Sequence, residues 1–159
     1  MSNVFNIAEV IDMGIEKEKK RRDFYGRVAE SFKEADLKSL FARLRDWEED
    51  HIRKFEAIRD AVKIDESQES YEGELAEYMR ALVDDTLYSR VSAKEFRNSV
   101  TSPKTAIQYG IGFEKDAILF FNEILKYTEP VHTEKIRMLI DEEKKHIVYL
   151  AELKKKHGQ

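Results

Sequence analysis

No cysteine occurs anywhere in the 159 residues. That excludes disulfides, thiolate nucleophiles, iron–sulfur clusters and cysteine-based zinc sites. Proline occurs twice and glycine six times, too few for a chain built of tight turns and linkers. No run of about 18 apolar residues is present, so no transmembrane helix is expected. The stretch Met1 to Glu9 has no basic region followed by an apolar one, so no signal peptide is expected, and the default location is cytoplasmic. A net charge of −4 argues against a nucleic-acid partner, which usually meets a basic face.

What is present is 42% apolar and 38% charged. That mixture suits long helices with solvated outer faces and argues against disorder. The length fits a single domain, 1–159, with a proper core. The strong metal ligands available are four His and the carboxylates.

Four long helices are predicted. Asn6 followed by Glu9 is a capping pair for the first, running to about Phe32. Leu37, Phe41, Leu44, Phe55, Ile58 and Val62 mark the second. Ser102 before Pro103 opens the third, which reaches about Tyr127, and Pro130 opens the fourth, ending before Gly158. Short connectors make antiparallel hairpins of 7–62 and 103–156. Between them the crossover 63–102 contains an amphipathic stretch, Leu75, Met79, Leu82 and Val83, that reads as a shorter helix. Two hairpins joined by one long crossover make an all-α, ferritin-like four-helix bundle.

The hairpins repeat one another. Ile15, Glu18, Lys19, Phe24 and Tyr25 match Ile111, Glu114, Lys115, Phe120 and Phe121 at a shift of 96. Leu44, Asp46, Glu48, His51 and Ile52 match Leu139, Asp141, Glu143, His146 and Ile147 at a shift of 95. Such self-similarity points to a duplicated hairpin and a pseudo-twofold bundle.

Steps of three and four trace the inward seam of each helix. The first seam is Ile7, Ile11, Gly14, Glu18, Arg22, Tyr25, Val28, Phe32, and the second Leu37, Phe41, Leu44, Glu48, His51, Phe55, Ile58, Val62. The third is Ile107, Ile111, Glu114, Ile118, Phe121, Leu125, and the fourth Ile136, Leu139, Glu143, His146, Leu150, Leu153. All four turn polar near the middle. Residues i and i+3 are neighbours on a helix face, so each Glu-x-x-His pair points at one centre. Buried carboxylates without partners cost several kcal/mol each. Two metal ions held by Glu18, Glu48, His51, Glu114, Glu143 and His146 would balance them. Carboxylate with imidazole suits iron or manganese, and less selectively zinc. A single Glu-x-x-His on a helix is common and usually a solvated face. The joint pattern on four seams carries the reading.

At Glu18 with Tyr25, Glu48-Glu49-Asp50-His51, Glu114, and Glu143-Lys144-Lys145-His146, the chain resembles the rubrerythrin-type branch of the ferritin-like superfamily. The likeness covers about residues 7 to 156. It implies a non-haem di-iron centre on the six residues named above, and a hydrogen bond from Tyr25 to a ligand carboxylate. It further implies reduction of peroxide or reaction with dioxygen, and a homodimer or larger assembly. Typical members carry a four-cysteine iron domain that supplies electrons. Without cysteine, the electrons are expected from a separate protein. Typical members also have an extra Glu where Ala117 stands here, so this site is closer to a symmetric set of four Glu and two His.

Among neighbouring residues, Arg22 either pairs with a carboxylate near the site or covers apolar surface with its stem. Glu142 either orients His51 across the bundle or belongs to a solvated face. His132 and His157 read as surface residues, and Trp47 as packing. The expected function is a di-iron oxidoreductase. The alternative is iron handling without substrate turnover, and a third possibility is a metal-stabilised structural or partner-binding bundle.

Overall fold

A computed structural model of the chain describes residues 5–64, 70–71, 77–78, 80–81, 98–126 and 128–157. Its long helices are α1 (Ile7–Ser31), α2 (Ala35–Ile64), α3 (Pro103–Lys126) and α4 (Pro130–His157). Prolines at the first position of α3 and α4 sit where the helix has no use for an N–H. Ser102 caps α3, its hydroxyl accepting the Thr105 N–H at 3.2 Å. Lys154, Lys155, Lys156 and His157 lie in the last turn of α4, where positive charge complements the helix dipole. His157 is not solitary: its Nε2 shares a 2.9 Å hydrogen bond with Asp36 Oδ2 at the start of α2.

α1 packs along α2 and α3 along α4, with further contact of α1 on α3 and of α2 on α4. Arg59 reaches Asp12 while Arg22 reaches Glu49, so α1 and α2 run antiparallel. Tyr25 meets Gly110 while Gly14 meets Phe120, so α1 and α3 are antiparallel as well. It follows that α2 and α3 point the same way. Their connection must return the length of α3, about 36 Å at 1.5 Å per residue, which is why it is long. The short helix expected from Leu75, Met79, Leu82 and Val83 rests largely on residues outside those described, although residues 77–78 and 80–81 are helical. Ahead of α1, Phe5 and Asn6 pair antiparallel with Tyr71 and Ser70, so the crossover touches the start of the chain. No helix among the described residues is long and apolar enough to cross a membrane.

The core falls into two apolar clusters. One gathers Ile11, Ile15, Phe55, Ile58, Phe120, Phe121 and Leu139 among others. The second gathers Phe24, Tyr25, Phe41, Leu44, Ile107, Phe113 and Leu150. The polar residues of all four helices lie in sequence between these clusters, as a charged layer inside the bundle.

The α2 and α4 seams are buried as expected. The other two differ. On α3 the fully buried set is Ala106, Ile107, Gly110, Phe113, Glu114, Ala117, Phe120, Phe121 and Ile124. Ile111, Ile118 and Leu125 are only partly buried. On α1 the inward residue after Glu18 is Arg21, completely buried, and not Arg22. Both helices bury a stripe wider than a single heptad seam.

Gly14 and Gly110 occupy matching positions in the two halves, each receiving an aromatic ring from the other hairpin. A Cβ on Gly14 would stand 2.8 Å from Phe120 Cε1 and 3.0 Å from Phe121 Cε1. Both rings are wedged in the core and cannot yield freely. Gly14→Ala is therefore expected to lower folding stability by about 1–3 kcal/mol, despite the better helix propensity of Ala, as read by urea unfolding.

Candidate metal centre

Glu18 on α1, Glu48 and His51 on α2, Glu114 on α3, and Glu143 and His146 on α4 all converge in the charged layer, each buried. Their ligand atoms form two overlapping sets. Glu18, Glu48, His51 and Glu143 make one, and Glu48, Glu114, Glu143 and His146 the other, with all atoms of a set within 4.8 Å of one another. Glu48 and Glu143 belong to both sets. The sets suit a metal pair in donor number and chemistry, carboxylate oxygen with one imidazole each. Among the described residues, Glu18 Oε2, Glu48 Oε1 and Glu114 Oε2 are buried and find no hydrogen-bond partner, as oxygens kept for coordination would be.

Each imidazole turns Nδ1 inward. His51 Nδ1 lies 2.7 Å from Glu143 Oε1, and His146 Nδ1 lies 3.0 Å from Glu143 Oε2. On its outer side His51 Nε2 meets Glu142 Oε2 at 2.5 Å. Glu142 thus fixes the ring of His51 across the bundle, and the solvated-face reading of it is set aside. Such an outer carboxylate orients a ligand imidazole and raises its basicity. His146 stacks between His51, at 5.4 Å, and Trp47, at 5.1 Å and 9° between planes. Trp47 therefore packs against a candidate ligand. Beside it lies a cleft of about 260 Å³ lined by Trp47, Asp50, Glu142, Lys145, His146 and Tyr149.

Tyr25 donates a 2.6 Å hydrogen bond to Glu114 Oε1, the contact that the family likeness implies. Its repeat counterpart Phe121 has no hydroxyl. On that side the candidate ligand Glu18 is met instead by Arg21, whose Nη2 stands 2.5 Å from Glu18 Oε1. Arg22 is 29% exposed and pairs with Glu49 at 2.7 Å, outside the cluster. The predicted α1 seam ran through Arg22, whereas the buried arginine is Arg21. The signal was available: Glu18-x-x-Arg21 has the same i, i+3 spacing as the two Glu-x-x-His pairs.

Arg21 changes the electrostatics. Burial opposes its charge, but Glu18, Glu48, Glu143 and Glu114 around it hold the proton firmly. Burial likewise opposes charge on both imidazoles, yet Glu143 beside His51, and the hydrogen bonds of Glu114 and Glu143 to His146, push each up to about 12. Burial raises Glu18 and Glu114 well above the ordinary carboxylate range. Burial also works against ionised Glu48 and Glu143, but Arg21 together with hydrogen-bonded neighbours outweighs it and holds both low. The protein's own groups therefore come close to neutralising one another. Charge balance alone does not demand a metal. The convergence of two donor sets is what carries the metal reading.

No family model matches the chain, and no curated protein sequence matches it. Among solved structures, a crystal structure from Thermotoga maritima, provisionally assigned as a ferritin-like diiron-carboxylate protein, superposes with a TM-score of 0.68. The match covers 95% of each chain at 23% identity. The fold is ferritin-like. In this ferritin-like bundle the two hairpins each contribute a Glu and a Glu-x-x-His, so the repeat seen in the sequence becomes the symmetry of the cluster.

The Tyr25 hydroxyl is buried and serves one carboxylate. Tyr25→Phe is expected to cost about 1–3 kcal/mol, measured as a lower thermal midpoint, because Glu114 Oε1 loses its short donor.

Proposed function

We propose that this chain is a di-iron carboxylate protein that reacts with a small oxidant, peroxide or dioxygen, and draws electrons from a separate donor protein. The observation supporting it is the pair of four-donor sets sharing Glu48 and Glu143, buried between apolar layers. Iron bound there supplies reversible one-electron redox chemistry and Lewis acidity. Manganese or zinc satisfies the same donors, with selection left to metal supply.

The chain's own residues divide the work. Glu48 and Glu143 would serve both donor sets, with Glu18 and His51 completing one and Glu114 and His146 the other. Tyr25 fixes Glu114, and Glu142 fixes His51. The cleft at Trp47 and Tyr149 has His146 in its lining and the size of a small molecule. The likeness to rubrerythrin-type proteins at the ligand motifs favours peroxide. The provisional di-iron assignment of the Thermotoga maritima protein, which has the same fold, is consistent with this reading. Ala117, 2% exposed in an apolar cluster, stands where typical rubrerythrins add a ligand, so turnover here relies on the four-Glu, two-His set. A homodimer is the proposed assembly.

Elemental analysis of protein from its native source, followed by a peroxide-consumption assay with reductant, tests the proposal. Iron-loaded protein is expected to consume peroxide, and Glu114→Ala is expected to abolish that consumption. Iron bound and released without turnover would replace this reading by iron handling. A protein that retains no transition metal would end both.

A further inference from the structure

Arg21 places its guanidinium among the carboxylates of the cluster, and it does so unevenly. Nη2 stands 2.5 Å from Glu18 Oε1, 2.9 Å from Glu48 Oε2 and 3.1 Å from Glu143 Oε1. Those three acids, with His51, are one of the two donor sets. The same guanidinium reaches Glu114 only at 3.9 Å, through Nε, and Nη1 donates to the Phe113 carbonyl at 3.3 Å. The second set presents different oxygens. Glu143 Oε2, Glu114 Oε1 and Glu48 Oε1 lie 3.0, 3.3 and 3.4 Å from His146 Nδ1.

We propose that Arg21 is a built-in cation that makes the two metal positions unequal: the first ion enters the His146 set with Arg21 in place, and a second enters the His51 set only when Arg21 withdraws. The inference rests on the metal reading above. Arginine does not lose its proton in proteins, so it cannot make room by becoming neutral. A metal ion on the same three carboxylates would meet a full positive charge at contact distance. The asymmetry is written into the repeat, because the residue three after Glu114 is Ala117 where the first half has Arg21. Tyr25 on Glu114 and Arg21 on Glu18 are thus different devices at symmetric places.

Calorimetric titration of the chelator-stripped full chain with Co(II), followed also by visible absorption, tests this. Wild type is expected to bind one ion tightly and a second about 100-fold more weakly or worse, the scale of a broken buried ion pair. Arg21→Ala is expected to bind two ions with affinities within about tenfold of each other. Without metal, its thermal midpoint should fall by about 10 °C and recover on adding Co(II). If Arg21→Ala does not fold without metal, folding on Co(II) addition reports the same replacement. Arg21→Lys, which keeps a cation, then supplies the titration and should retain the weak second site. Two equal sites in wild type, unchanged in Arg21→Ala, would overturn the role of Arg21 and leave the metal reading standing. Failure of every variant to bind Co(II) would overturn the metal reading and this inference together.

Discussion

Glu143→Ala is expected to abolish tight metal binding and to destabilise the metal-free protein as well. Glu143 belongs to both donor sets, so its loss removes a donor from each. Even the outer partners of metal ligands are worth about 10–100-fold in affinity; a shared inner ligand should be worth more than about 100-fold. The same carboxylate faces Arg21 Nη2 at 3.1 Å, His51 Nδ1 at 2.7 Å and His146 Nδ1 at 3.0 Å. Removing it leaves buried positive groups without their common acceptor, a change that costs about 3–5 kcal/mol when one member of a buried pair is lost. Glu143→Gln keeps the shape and one acceptor oxygen, so it should fold better than Glu143→Ala while binding metal poorly. Titration calorimetry and thermal melts, each with and without metal, check both effects. Wild-type metal affinity in Glu143→Ala would show that the shared carboxylate is not a ligand.

Phe121→Ala carries the largest expected effect outside the cluster. Phe121 is almost wholly buried and stacks on Phe55 with ring centroids 4.2 Å apart and 15° between planes. It also meets Phe120 edge-on at 5.6 Å. Its truncation opens a cavity beside the charged layer and should cost about 3–5 kcal/mol. For a chain of this size that is a fall of about 10 °C in thermal midpoint. Because Phe121 is one of the rings that a Gly14 side chain would strike, the two changes should not add. Part of the Gly14→Ala cost should vanish in the Phe121→Ala background, and a double-mutant cycle in urea reads the coupling directly. Full additivity would show that the close approach of α1 to α3 is not what limits residue 14.

Much of the architecture was legible before any coordinates. Pro103, Pro130 and Ser102 placed helix starts because their effects are local: a fixed backbone angle, a missing N–H, a side-chain cap. The Glu and Glu-x-x-His pattern, repeated at shifts of 96 and 95, singled out six residues that do converge. Arg21 was missed because arginine on a helix is ordinarily a solvated residue. A strict heptad step also moved the α1 seam from Glu18 to Arg22, where the true stripe passes through Arg21. Similarly, His157 finds its partner on another helix, reaching the start of α2 from the end of α4. No local rule names a partner 121 residues away.

By itself the sequence determined the helical periodicity, the duplication and the candidate ligands, because spacing along one helix dictates which residues share a face. Tertiary structure alone decided which oxygens of those ligands face which imidazole, and that a guanidinium lies among them. Those are relations between helices that meet at angles and depths no single helix encodes. They fix the local charge balance inside the bundle.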